Sequence, residues 1–186
     1  SHSMIYGMKN TTLDIPSDCH YISIGLRIYG PGKAVINKIL LGHKIIDPAF
    51  VITNKQYLLV TNHYPSYDDL YKNGFVHSRV RSYKEQGIDV EVFRLRKDEK
   101  VSYHEFEGID VITGSNNALE KIIKHNNFKT IMIHFLDRDI WHTINNFIDT
   151  HRVVVWVHGA EIQSWHRRAF NYENESQAQK AKTSYE

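Results

Sequence analysis

YLLVTNHYPSYDDLYKNGFVHSRVRSYKEQGIDVEVFRL, residues 57–95, changes its hydrophobic period twice, and that change decides the fold. Tyr57 to Thr61 is a short continuous apolar run, the pattern of a strand buried on both faces of a parallel sheet. After a polar loop, Val76, Val80 and Tyr83 recur at helical spacing, and Gly87 is placed to end the helix. Val90, Val92 and Phe93 then begin a second strand.

Downstream the alternation continues. Ile109 to Thr113 (IDVIT) reads as a third strand, and the less regular stretch from Val101 to Phe106 as its edge-hairpin partner. Asn116 or Asn117 is expected to cap a helix whose Ala118, Leu119, Ile122 and Ile123 face inward. Thr130 to Phe135 (TIMIHF) is a fourth strand. Trp141, Ile144, Phe147 and Ile148 mark another amphipathic helix, and Val153 to Val157 a fifth strand. Strands and helices that alternate with short loops predict an α/β fold: a Rossmann-like, doubly wound parallel sheet with right-handed crossovers.

Upstream the texture differs. Tyr21, Ile22, Ile24, Leu26, Ile28 and Tyr29 alternate, Gly30-Pro31-Gly32 supplies a turn, and Ala34, Val35, Ile36, Ile39 and Leu40 suggest a return strand. A lone hairpin is marginal in water, so this one packs on the following domain or belongs to the sheet of another module. The expected organisation is a tag remnant at Ser1-His2-Ser3, a β-hairpin segment over residues 4–54, and the α/β domain over residues 55–186. The hairpin is similar in composition to the closing strands of a carbohydrate-associated β-sandwich; a strand pair that extends the α/β domain is the other reading.

Composition narrows the partners. The formal charge of +2 arises from nearly balanced signs, so electrostatics point to neither nucleic acid nor a membrane surface. The single Cys19 rules out an internal disulfide and every multi-cysteine zinc pattern, and is compatible with a reducing compartment. No apolar run reaches the roughly 20 residues of a spanning helix. A cytoplasmic location is expected, free or peripheral to the inner face of the membrane.

In open α/β sheets ligands bind beyond the carboxyl ends of the strands. Three predicted strands end there in polar residues: Asn62 and His63, then His134, then His158 with Gly159 and Glu161. A single histidine is more often structural than functional, but three on one edge point to a site. The dinucleotide and P-loop fingerprints, the G-x-S-x-G elbow and H-E-x-x-H are all missing. Asp137-Arg138-Asp139 spells the D-x-D of metal-dependent sugar-nucleotide transferases, although acidic residues at a helix start more commonly serve as caps.

The stretch 57–95, followed by IDVITG, IMIHFLD and VVVWVHGAE, resembles the amino-terminal, acceptor-side domain of a GT-B glycosyltransferase of group 1, family four. The resemblance implies two Rossmann-like domains facing across a cleft, the first for the acceptor and the second for the nucleotide-sugar donor. It implies that His158 reaches the donor sugar as the catalytic residue, and that His134, Asp137 and Asp139 line the acceptor pocket. In relatives a glycine pair follows the first strand and approaches donor phosphate. Here Ser66, Tyr67, Asp68 and Asp69 stand in that region and only Gly74 precedes the helix, so the loop could face the acceptor instead.

On this reading a sugar is transferred from a nucleotide sugar to a glycan or other acceptor in polysaccharide synthesis. Retention of configuration is implied by the resemblance alone. No cofactor or metal is expected, the donor would be held mainly by a carboxy-terminal domain of the same chain, and the piece alone is expected to be inactive. His63, Tyr67, Asp68, Asp69, Gly74, His134, Asp137, Gly159 and Glu161 are the candidate sugar-binding residues, with Arg79 a weaker one. Trp165, Tyr67 and Tyr71 are candidates to stack on pyranose faces or to pack on a partner domain. Glu161 either orients the His158 ring or simply begins a helix. Two other classes stay open: a noncatalytic Rossmann-like interaction module, and a metal-dependent hydrolase or epimerase using His134, Asp137, Asp139 and His158.

Overall fold

The computed structural model describes residues 12–19, 37–46, 53–159, 162 and 174–185. The chain divides into two compact units, Ser1–Val35 and Ile36–Glu186. In the first, residues 12–19 are exposed and contain a turn in which Cys19 N–H donates to Pro16 O at 3.0 Å.

The second unit opens with a hairpin, β1 (Ile39–Leu41) and β2 (Lys44–Ile46), joined through Gly42 at φ +59°. A hairpin thus precedes the sheet, with its turn at Gly42-His43. The turn expected at Gly30-Pro31-Gly32, and the strand expected from Tyr21 to Tyr29, lie outside the described residues.

The α/β sheet then builds in the order the hydrophobic periods require: β3 (Tyr57–Thr61), α1 (Gly74–Glu85), β4 (Val90–Leu95), β5 (Ser102–Phe106), β6 (Ile109–Gly114), α2 (Asn116–His125), β7 (Thr130–His134), α3 (Arg138–Ile144) and β8 (Arg152–Trp156). A final helix, α4, spans Glu175–Tyr185. Across the sheet the order is β5-β6-β4-β3-β7-β8. The five strands from β6 to β8 are parallel, and β5 pairs antiparallel to β6 at the edge. The fold is α/β and Rossmann-like. Chain progression runs outward from β3 to β6, then returns to β7 on the other side of β3. That reversal makes the β3/β7 boundary the topological switch point, where the connections leave neighbouring strand ends in opposite directions and where open α/β sheets bind ligands.

Period-two alternation explains the layers. Leu58, Val60, Phe93, Ile112, Ile131 and Ile133 pack with Leu119, Ile122, Ile140 and Ile144 from α2 and α3, whereas Leu59, Val92, Val111 and Met132 pack with Val76 and Val80 from α1. Helices on both faces are the reason that YLLVT and TIMIH are continuously apolar. No helix among the described residues is long and apolar enough to cross a membrane.

The ends of α1 follow local chemistry. Gly87 takes φ +76°, its N–H donates to Lys84 O at 3.0 Å, and Ile88 N–H donates to Tyr83 O at 2.9 Å, a Schellman closure. The β5–β6 turn is Glu107-Gly108 with φ of +47° and +77°, the paired positive values that tight hairpins favour.

Two expectations need correction. Neither Asn116 nor Asn117 caps α2: Ser115 precedes the helix, and Asn116 Nδ2 instead donates to Asp139 O at 2.6 Å and Thr143 Oγ1 at 2.8 Å, tying α2 to α3. Trp141 and Ile148 do not face inward but are exposed at 45% and 43%. The buried face is instead Ile140, Thr143, Ile144 and Phe147, an i, i+3, i+4, i+7 stripe that leaves Trp141 and Ile148 one position to its side, and the helix ends in a single 3-10 turn at Asn145–Phe147.

Candidate functional site

The ends of β7 and β8 bring two of the predicted residues together. His134 closes β7, pairs in register with Thr61 of β3 and Trp156 of β8, and is fully buried. His158 stands two residues beyond the end of β8 and is half-buried. Because β7 and β8 are neighbours, His134 Nδ1 and His158 Nε2 meet at 3.0 Å. Aromatic surfaces hold both rings. His134 lies parallel on Trp156 at 5.0 Å between centroids, and His158 stacks on Phe135 at 4.4 Å, with Phe75 against it at 4.9 Å.

Backbone conformation sets this geometry. Phe135 adopts φ +60°, unfavourable for a bulky residue, and so turns the chain away directly after His134. Gly159 does the same after His158 at φ +91°, where a Cβ would be strained. Glu161 lies outside the described residues, as does Trp165.

Electrostatics favour a neutral His134. Burial, then the nearby Arg79 and His158, depress the His134 pKa from 6.5 to about 4. The Arg79 guanidinium sits 5.3 Å over the Trp156 ring, on the α1 side of the sheet. Arg79, Trp156, Phe75 and Phe135 therefore belong to the setting of the two histidines. Of these, the sequence suggested Arg79 alone. Phe75 could have been suspected from its place in the first turn of α1.

The acidic pair goes elsewhere. Asp137 is the N-cap of α3, accepting from Ile140 N–H at 2.8 Å, and Asn62 Nδ2 donates to its other oxygen at 3.4 Å. Asp139 pairs with Lys97 at 3.4 Å. Both begin a helix on the face opposite α1, and among the described residues no three His, Cys, Asp or Glu side chains converge to hold a metal ion. An Asp137→Ala substitution is expected to cost about 1 kcal/mol through the lost cap, measurable by urea unfolding.

The loop after β3 closes on itself. Ser66 and Asp69 exchange backbone hydrogen bonds at 3.1 and 3.0 Å, Asp69 pairs with Lys72 at 3.0 Å, and Asp68 is exposed. The Tyr67 hydroxyl accepts from Glu107 N–H at 3.2 Å and its ring packs on Phe106, whereas Tyr71 is 93% exposed. Gly74 opens α1 after Asn73 at φ +57°; a Cβ there would meet nothing within 4 Å. His63 lies on the β4 side, its Nδ1 accepting from Arg96 Nη2 at 3.3 Å. Burial, then Arg96, Lys72 and Arg94, hold its pKa below the usual value.

Sequence reading missed a second polar chain. The buried Tyr64 hydroxyl meets His77 Nδ1 at 2.9 Å, and His77 Nε2 meets Glu107 at 3.2 Å, with Arg81 on the same carboxylate at 2.9 Å. Burial pushes the Tyr64 phenol well above its ordinary range. This chain fastens the β3–α1 loop and α1 to the edge hairpin. No family model, no curated protein and no solved structure matches the sequence.

Proposed function

We propose that residues 55–186 are the acceptor-side domain of a GT-B glycosyltransferase, transferring a sugar from a nucleotide sugar to a glycan or similar acceptor. The observation that supports this best is the His134–His158 pair at the carboxyl edge of the sheet, next to the β3/β7 switch point and packed against aromatic rings. Glycosyl transfer passes through an oxocarbenium-like transition state, so a protein contributes chiefly by holding the sugar and stabilising the leaving phosphate. A half-buried imidazole fixed to a rigid sheet suits a hydrogen bond to a sugar hydroxyl. The exposed Tyr71 and the half-exposed Phe75 offer faces for a pyranose. The donor phosphates and nucleotide would be held mainly by a further domain.

Titrating the histidine-labelled chain with pyranosides, oligosaccharides, nucleotide sugars and sugar-free nucleotides, followed by NMR, tests this. At least one saccharide is expected to shift the His158 ring signals, and His158→Ala to weaken its binding roughly 3- to 10-fold, the worth of one neutral hydrogen bond. If no saccharide moves His158 while a protein partner does, the domain is an interaction module and the reading fails.

A further inference from the structure

We infer that buried His134 is the positioning residue that fixes His158 as its Nδ1–H tautomer, by donating its own Nδ1–H to His158 Nε2. The inference rests on the glycosyltransferase reading for its purpose, though its test needs no sugar.

The argument counts protons. One hydrogen lies between His134 Nδ1 and His158 Nε2, 3.0 Å apart. The other nitrogen of His134, Nε2, is buried and has no hydrogen-bond partner among the described residues. If the shared hydrogen belonged to His158, a neutral His134 would carry its own hydrogen on Nε2, a buried N–H with no acceptor. If the hydrogen belongs to His134, what remains at Nε2 is a bare lone pair. Orphaned buried N–H groups are rarer in proteins than under-satisfied acceptors, so the second arrangement is favoured. A doubly protonated His134 is opposed by full burial and by Arg79, consistent with its depressed pKa.

With Nε2 accepting, a neutral His158 must carry its hydrogen on Nδ1. Protonation of His158 at Nε2 would set two N–H groups head to head and force the His134 hydrogen onto the orphaned nitrogen. Nε2 of His158 is therefore engaged as an acceptor and does not serve as a general base. The stacks with Phe135 and Phe75 limit the ring flip that would carry His158 Nε2 away from His134 Nδ1.

Long-range proton–nitrogen NMR of the full chain at neutral pH reads the tautomers directly. His158 is expected to show a protonated Nδ1 and a bare Nε2. His134→Phe keeps a ring over Trp156 but removes the donor, and is expected to move His158 toward the Nε2–H form that dominates for a neutral histidine side chain in water. His134→Asn, whose amide N–H can stand in for the ring Nδ1–H, is expected to restore Nδ1–H. A wild-type His158 in the Nε2–H form overturns the inference, as does a tautomer indifferent to His134→Phe. If the phenylalanine variant does not fold, the wild-type spectrum and the asparagine variant decide alone. The correct tautomer without saccharide binding removes the glycosyltransferase reading and leaves the positioning; binding with the wrong tautomer does the reverse.

Discussion

Replacing His134 by phenylalanine is expected to remove about 3 kcal/mol of acid sensitivity from the domain, read as the difference between wild-type and variant unfolding free energies from pH 7 to pH 4. Above the unfolded pKa of 6.5, His134 is neutral folded and unfolded, and contributes no pH dependence. Between 6.5 and about 4 the unfolded chain binds a proton that the folded chain refuses, so stability falls as pH falls. Below about 4 both states are protonated and the loss is complete. The 2.5-unit gap between those values, at about 1.4 kcal/mol per unit, gives the magnitude. The larger phenyl ring adds a packing cost, but one that does not vary with pH. His63 and His104, also depressed chiefly by burial, lose stability in the same direction, and buried Glu91, whose pKa is raised chiefly by burial, acts in the opposite one. All three are present in wild type and variant alike, so they cancel in the difference curve, which reports His134 together with its contact to His158. A difference that stays flat across this range would mean that His134 accepts its proton in the folded state as easily as outside it.

The same histidine shows what local pattern can and cannot reveal. TIMIH was legible as a buried strand because an apolar run covered on both faces has little alternative, and the rule of strand ends put His134 and His158 on one edge. That they touch depends on β7 and β8 being neighbours, a property of strand order that no window of sequence contains. The φ of Phe135 was equally hidden, since a phenylalanine carries no signal for a left-handed backbone. The chain from Tyr64 through His77 to Glu107 joins three segments of the sequence and was invisible for the same reason. Asp137-Arg138-Asp139 shows the opposite case: the motif suggests a metal, but the physics of a helix start already favoured the cap that is found. Asp139, reaching Lys97 across the surface, adds only a half-exposed ion pair.

The histidine pair needs a rigid sheet behind it, and Phe93 is the place to test that rigidity. Phe93 is fully buried in β4, pairs in register with Val60 of β3 and Ile112 of β6, and lies in the core layer shared with α2 and α3. Its ring also abuts Gly114: a Cβ there would meet Phe93 Cζ at 3.4 Å and Ala118 Cβ at 3.0 Å, so the glycine lets α2 start close against the sheet. Phe93→Ala is expected to cost about 3–5 kcal/mol, because strands on both sides and helices above limit collapse into the cavity. For a chain of this size that lowers Tm by on the order of 10 °C, measurable by calorimetry. A loss below about 1 kcal/mol would show that this layer can close over the void, and the sheet could not then be the fixed platform that holds His134 against His158.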